Sequence, residues 1–124
     1  MKNSLRYLPV IFWTWLTWYL TGYPNLRVTP DSLTQFLISK GSHIFFFGLE
    51  GVFAYLALSI KTKYRFLIAL VVTSVFGAAT ELHQHFIPGR HMDIRDWLLD
   101  TLSALLFLVI MKKYINLRST IHDR

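Results

Sequence analysis

The chain has 124 residues, room for about one domain, and 53% of them are hydrophobic while only 16% are charged. Soluble domains average about 25% charged and about 45–50% apolar residues, and so short a chain cannot hide this much apolar surface in an aqueous core. The composition therefore argues against a soluble enzyme, a disordered tail and a disulfide scaffold, and predicts an all-α integral membrane protein. The net charge of +6 does not indicate a nucleic-acid partner, because the basic residues lie between apolar runs, where they anchor helices.

Four apolar segments predict four transmembrane helices in a single domain over residues 1–124. Their predicted bounds are about 7–22, 42–60, 65–85 and 95–112. The first lies between Arg6 and Arg27, and it lacks a clear small-x-small cleavage site, which favours an uncleaved helix over a signal peptide. The fourth is free of charge only from Thr101 to Met111, so its first turns must meet protein or water.

The distribution of basic residues predicts the orientation. The N-terminus, the second loop and the C-terminus hold nine Lys and Arg, and the first and third loops hold four. Because the excess marks the cytoplasmic side, both termini are predicted to be cytoplasmic. In the first outer loop, Thr29-Pro30-Asp31 is typical of a helix start, and Leu33, Phe36 and Leu37 form an apolar stripe. These features predict a short helix lying in the outer interface.

Several ionisable or polar residues interrupt the predicted spans, at a cost of about 2.5–3.5 kcal/mol for a charged one, which makes them functional candidates. They are His43, Glu50, Glu81, Gln84, His85, Asp96 and Asp100. From the rise of about 1.5 Å per helical residue, His43, Glu81 and Asp96 lie near the outer rim. Glu50 and Asp100 lie near the middle of the membrane. The pattern predicts a polar funnel that descends from the outer surface between helices two, three and four.

The loop between the third and fourth helices is the most polar segment. Pro88-Gly89 predicts a turn that brings Arg90 close to Glu81 and Asp96. Arginine pairs well with carboxylate or phosphate, so two interpretations are open: a salt bridge that clamps the turn, or capture of an anionic headgroup.

The same residues carry a resemblance to a known family. The pattern Lys40-x-x-His43, then Glu81-x-x-Gln84-x-Phe86-x-Pro88-x-Arg90, then Asp96 followed four residues later by a polar residue, resembles the VanZ-like family. The resemblance covers about residues 36–110 and implies a small multi-pass protein of the bacterial cytoplasmic membrane. The family's founding member is linked to resistance to the glycopeptide teicoplanin. The chain departs from the family at Asp100, where asparagine is usual.

The first hypothesis is a cell-envelope protein whose outward-facing polar site binds an anionic lipid-linked or glycopeptide-related ligand, such as a membrane lipid or an envelope precursor. The predicted ligand-binding residues are Lys40, His43, Glu81, Gln84, Arg90, Asp96 and Asp100. Arg90, Lys40 and His43 are expected to contact the ligand, and Glu81, Gln84 and Asp96 to orient these basic side chains.

The second hypothesis is a membrane hydrolase or transferase that acts on a lipid-linked phosphate. The catalytic candidates are His43, Glu81 and Asp96. A divalent metal is the cofactor left open, and its candidate ligands are His43, Glu81, His85 and Asp96. Their spacing does not match H-E-x-x-H.

Two further interpretations stay open. In a proton-coupled carrier, Glu50 and Asp100 share a proton, and four helices are so few that a homodimer is needed. In an assembly factor, the polar residues only hold the helices together.

Overall fold

Every regular element in residues 4–24 and 27–122, which this computed structural model describes, is helical, as predicted. A short 3-10 turn at Leu5–Tyr7 leads into the first of four α-helices. The helices are α1 (Leu8–Thr21), α2 (Ser32–Ala57), α3 (Arg65–His85) and α4 (Ile94–His122).

Local residue chemistry explains where the helices begin. Pro9 lies in the first turn of α1, where its missing N–H leaves no bond unmade. Asp31 caps α2 by accepting a hydrogen bond of 2.7 Å from the backbone N–H of Thr34. Hydrogen bonds from Thr34, through its side chain and its backbone, hold the pKa of Asp31 below its ordinary value of 3.8. Gly89, with φ of 78°, makes the turn after α3 that Pro88-Gly89 predicts.

Two helices are longer than predicted. The predicted interfacial helix of the first loop is not separate, because α2 runs from Ser32 to Ala57 without a break. Lys40 and His43 therefore lie inside one continuous helix. Similarly, α4 continues to His122, ten residues past its predicted end at 112. No proline or glycine lies in that extension to stop it.

The bundle buries many polar side chains together with Phe47 and Leu108, and it exposes many large apolar ones. The buried polar residues are Thr17, Glu50, Thr73, Thr80, Glu81, Gln84, Asp100 and Ser103. Phe12 and Trp15 are 59% exposed and Phe86 is 72% exposed. Soluble domains bury such residues, and an exposed apolar surface of this kind marks contact with an apolar environment or a partner.

Among the helices in residues 4–24 and 27–122, only α3 is long and apolar enough to cross a membrane by length and composition alone. The helical part of α1 has only 14 residues. Charged side chains interrupt the other two, as at Glu50 in α2 and Asp100 in α4. The arrangement with four spans therefore stays a prediction.

Close packing brings the helices together. A Cβ atom on Gly48 of α2 would lie 2.7 Å from the Phe107 ring of α4, so any larger residue there would force that ring to move. The Trp97 indole of α4 donates to the Ser74 carbonyl of α3 at 3.0 Å. At the other end of the bundle, the Lys112 ammonium lies over the Phe66 ring. The part of α2 around Lys40 and His43, the end of α3 and the start of α4 meet at one end of the bundle, and the end that contains Lys112 lies opposite.

Candidate functional site

His43 of α2 lies between two carboxylates of α4. Its Nδ1 is 2.7 Å from Oδ1 of Asp100, and its Nε2 is 3.7 Å from Oδ2 of Asp96. Lys40, one turn earlier on α2, forms an ion pair with Asp96. These four side chains therefore join α2 to α4 through a continuous polar network.

Glu81 adds a third helix to this network. Potential ligand atoms of His43, Glu81 and Asp100 all lie within 4.8 Å of one another. Glu81 Oε2 accepts a hydrogen bond of 2.9 Å from the backbone N–H of Asp93, just before α4 begins. Within the described residues, Glu81 Oε1 and Asp100 Oδ2 are buried without a hydrogen-bond partner. Two unpaired carboxylate oxygens thus lie inside the bundle.

Helical periodicity and a glycine let these groups approach. The buried face of α3 repeats every three or four residues through Thr73, Gly77, Thr80, Glu81 and Gln84. A Cβ atom on Gly77 would lie 3.3 Å from Asp100 Oδ2, tighter than ordinary contact. The absence of a side chain at Gly77 therefore gives Asp100 its space against α3.

A cavity of about 140 Å³ adjoins His43 on the side of α1. Thr17 and Thr21 of α1, His43 and Phe46 of α2, and Arg90 of the loop after α3 are among its lining residues. Arg90 Nη2 donates to the Thr21 carbonyl at 3.2 Å. Its Nε is buried and has no hydrogen-bond partner within residues 4–24 and 27–122. The cavity thus combines a guanidinium and an imidazole with apolar walls.

The predicted salt bridge of the turn does not form. In the part of the chain that the structure describes, Arg90 makes no ion pair with Glu81 or Asp96. Its guanidinium contacts α1, while Asp96 pairs with Lys40 and Glu81 accepts the bond from Asp93. The Arg90 side chain instead lines the cavity beside α1.

The remaining candidates make no hydrogen bond or ion pair with the network among the described residues. Gln84 is buried, and its Nε2 lacks a partner in the described ranges. His85 lies at the edge of the buried face of α3 and is therefore exposed, and its ring packs edge-on against the Phe86 ring.

Of the four predicted metal ligands, His43 and Glu81 belong to the group of potential ligands, and Asp100 is its third member. Glu50 accepts a hydrogen bond of 2.6 Å from Thr14 and not from Asp100.

Sequence reasoning missed the contribution of α1. Thr17 is fully buried at the cavity, and Thr14 and Thr21 make polar contacts on the same side. These threonines recur every three or four residues, the spacing of one helical face. The sequence could have revealed this contribution through the threonine stripe, because hydroxyl groups on one face of an otherwise aromatic helix indicate that the face packs against polar groups.

Comparisons with known proteins agree with the resemblance. No curated protein and no solved structure matches the chain. The sequence model described as VanZ/LLP1 matches residues 6–117, which include all of α1, α2 and α3, the polar network and the Arg90 loop. Since the match covers nearly the whole length, the chain belongs to the VanZ/LLP1 family.

Proposed function

We propose that this chain is a multi-pass protein of the bacterial cytoplasmic membrane whose outward-facing cavity binds the phosphate of an anionic lipid or lipid-linked envelope precursor. The observation that carries the proposal is Arg90, which lies in the cavity beside His43 with its Nε buried and unpaired among the described residues. The family is membrane-associated, and α3 has the length and apolar composition of a span.

The charges around the cavity favour an anion. Lys40 is neutralised by Asp96, whereas Arg90 contacts only a carbonyl oxygen within the described residues. A buried guanidinium edge without a partner is unfavourable, and phosphate oxygens match its paired N–H groups. The hydroxyl of Thr17, buried and without a partner in the same ranges, is a further donor there.

The size and walls of the cavity favour a small headgroup with an attached apolar chain. A volume of about 140 Å³ is smaller than the roughly 300–1,000 Å³ of pockets that enclose drug-sized ligands, so it suits a small headgroup whose chain lies outside the cavity. Leu20, Ile38 and Phe46 supply apolar walls. A lipid-linked envelope precursor has this chemistry, which connects the site to the glycopeptide resistance that the family resemblance implies.

Lipid binding by the purified full chain tests the proposal. Native mass spectrometry counts bound dioctanoyl phosphatidylglycerol, with dioctanoyl phosphatidylcholine and inorganic phosphate as comparison ligands. We expect Arg90→Gln to weaken phosphatidylglycerol binding roughly tenfold, about 1.4 kcal/mol, because the charge-assisted hydrogen bonds are lost. Competition by inorganic phosphate at similar concentration would assign the site to free phosphate instead of a lipid.

Arg95→Gln is the matched control, since Arg95 is exposed at the start of α4 and is not among the lining residues of the cavity. It should bind lipid like the wild type. Equal loss in both variants, or no loss in Arg90→Gln, contradicts the proposal. Circular dichroism of both variants checks that the helices are intact.

A hydrolase or transferase acting on a lipid-linked phosphate is a second candidate function. It is favoured by one observation: His43 lines the cavity and is 2.7 Å from Asp100, an imidazole oriented by a carboxylate as in a general base. Incubation with a polyprenyl diphosphate measures release of inorganic phosphate. Release by the wild type but not by His43→Gln supports this function, and equal release by both counts against it.

A further inference from the structure

We infer that His43, Glu81 and Asp100 form a divalent-cation site inside the bundle. Each residue comes from a different helix, α2, α3 and α4, and offers a ligand atom within 4.8 Å of the other two. The site differs from the predicted ligand set, because Asp100 takes part and the exposed His85 does not.

Unpaired carboxylate oxygens give independent support. Glu81 is 3% exposed and Asp100 is fully buried, yet each keeps one oxygen without a hydrogen-bond partner within residues 4–24 and 27–122. Two carboxylates buried so close together repel each other unless a positive charge lies between them. Lys40 pairs with Asp96, so the only basic group of the network beside Asp100 among the described residues is the His43 imidazole, which carries at most one positive charge.

The distances suit coordination. Ligand atoms held about 2.1 Å from one ion lie about 3.0 to 4.2 Å apart. His43 Nδ1 and Asp100 Oδ1 are 2.7 Å apart, and the three potential ligand atoms lie within 4.8 Å of one another. The 2.7 Å separation is a hydrogen bond, so an ion would replace that bond and move the two atoms apart by at least about 0.3 Å.

The donor types select the class of metal. One imidazole nitrogen with two carboxylates combines a ligand suited to zinc and iron with ligands suited to manganese and magnesium. We therefore expect Zn²⁺ or Mn²⁺ to bind more tightly than Mg²⁺, which binds through oxygen and releases its waters reluctantly.

The surroundings orient the imidazole. Asp96 lies 3.7 Å from Nε2 of His43, on the ring edge that faces away from Asp100, and is itself held by Lys40. A carboxylate behind the non-ligating nitrogen of a metal-bound histidine is the usual second layer of such sites, because it aligns the ring. At 3.7 Å, Asp96 is an ion-pair neighbour of His43 rather than a hydrogen-bond partner, and it lies in the second layer of the site with Lys40.

Metal binding by the purified full chain in detergent, without added lipid, tests the inference. The protein is stripped with a chelator and titrated with Zn²⁺, Mn²⁺ and Mg²⁺, and bound metal is measured by elemental analysis and isothermal titration calorimetry. We expect about one ion per chain and a melting midpoint that rises until one equivalent has bound. Asp100→Asn and Glu81→Gln should each weaken binding at least about tenfold.

Asp31→Asn is the matched control, because Asp31 is an exposed carboxylate at the start of α2 and asparagine also caps helices. It should bind metal like the wild type. A wild-type chain that retains no stoichiometric metal and shows no change in melting midpoint overturns the inference. Wild-type affinity in both Asp100→Asn and Glu81→Gln overturns it too, because the ion then binds elsewhere.

The outcome is separable from the proposed lipid function. If Asp100→Asn does not fold, the metal affinity of Glu81→Gln and the number of ions bound per wild-type chain still test the metal site. Arg90→Gln should keep its metal while losing lipid, since Arg90 is not one of the three ligands. In the wild type, metal binding without lipid binding contradicts only the lipid proposal, and lipid binding without metal binding contradicts only the metal inference.

Discussion

At the scale of single residues, Asp96 connects two basic side chains of α2. It pairs with Lys40 and lies beside His43, and its side chain is only 15% exposed. Exposed ion pairs contribute about 0.2–1 kcal/mol, because water screens them and the side chains lose freedom on pairing. A pair that is shielded and extended by an imidazole should contribute more.

A double-mutant cycle measures that contribution. We expect Lys40→Gln and Asp96→Asn to show a coupling free energy of about 1–2 kcal/mol, because hydrogen bonds to charged groups stabilise a protein more than hydrogen bonds between neutral groups do. Unfolding in mixed micelles of detergent and dodecyl sulfate provides the free energies. Lys61→Gln is the control, because Lys61 is exposed in the loop between α2 and α3. The changes in unfolding free energy caused by Lys61→Gln and Asp96→Asn should be additive. If the changes caused by Lys40→Gln and Asp96→Asn were additive as well, the Lys40–Asp96 ion pair would contribute nothing beyond its separate residues.

At the scale of helices, the α2–α4 interface depends on small residues. Gly48 faces the Phe107 ring and Gly51 faces Ala104, where added Cβ atoms would lie at 2.7 and 3.2 Å. Small residues let helix backbones approach closely, which is the principal source of packing between helices in a membrane. His43 and Asp100 lie on the same two helices, so this approach also sets the distance between them.

Alanine substitutions of two glycines in α2 test this dependence. Gly48→Ala should destabilise the protein by about 1–3 kcal/mol, because the new methyl group overlaps the Phe107 ring and overpacks the interface. Gly41→Ala should be neutral or stabilise by up to about 1 kcal/mol, because an added Cβ there meets no atom within 4 Å and alanine favours the helix. Thermal unfolding in detergent compares the variants. Equal melting midpoints would show that the interface is not tightly packed.

At the scale of the whole molecule, the two ends of the bundle differ in chemistry. The polar network and the cavity occupy the end where α3 is followed by α4, and Lys112 lies over Phe66 at the opposite end. Basic residues favour the cytoplasmic side of a membrane. The network should therefore face outward, and the C-terminal part of α4 should extend into the cytoplasm.

Cysteine labelling tests this orientation on a background without native cysteine. Met92→Cys places a thiol in the exposed loop between α3 and α4, and Ser119→Cys places one on the exposed far end of α4. We expect a membrane-impermeant maleimide to label Met92→Cys in intact cells, and Ser119→Cys only after permeabilisation. The reverse pattern would place the cavity on the cytoplasmic side.

Much of the architecture was predictable because it rests on local properties of the chain. Apolar runs indicated an all-α protein, and ionisable residues inside those runs marked His43, Glu81 and Asp96 as one layer near the outer rim of a shared polar funnel. The motif around Arg90 supported the family resemblance that the family match confirms. Hydropathy, helical period and motif spacing can each be determined from a single segment of the sequence.

Which side chains pair with each other could be learned only from the folded chain, because pairing depends on how the helices rotate and pack against each other. Estimated depth grouped Asp100 with Glu50, yet Asp100 contacts His43 and Glu50 contacts Thr14 of α1. Proximity in the turn suggested a salt bridge for Arg90, whose guanidinium instead reaches α1. Interhelical contacts between distant residues set those rotations, and no single segment contains that information.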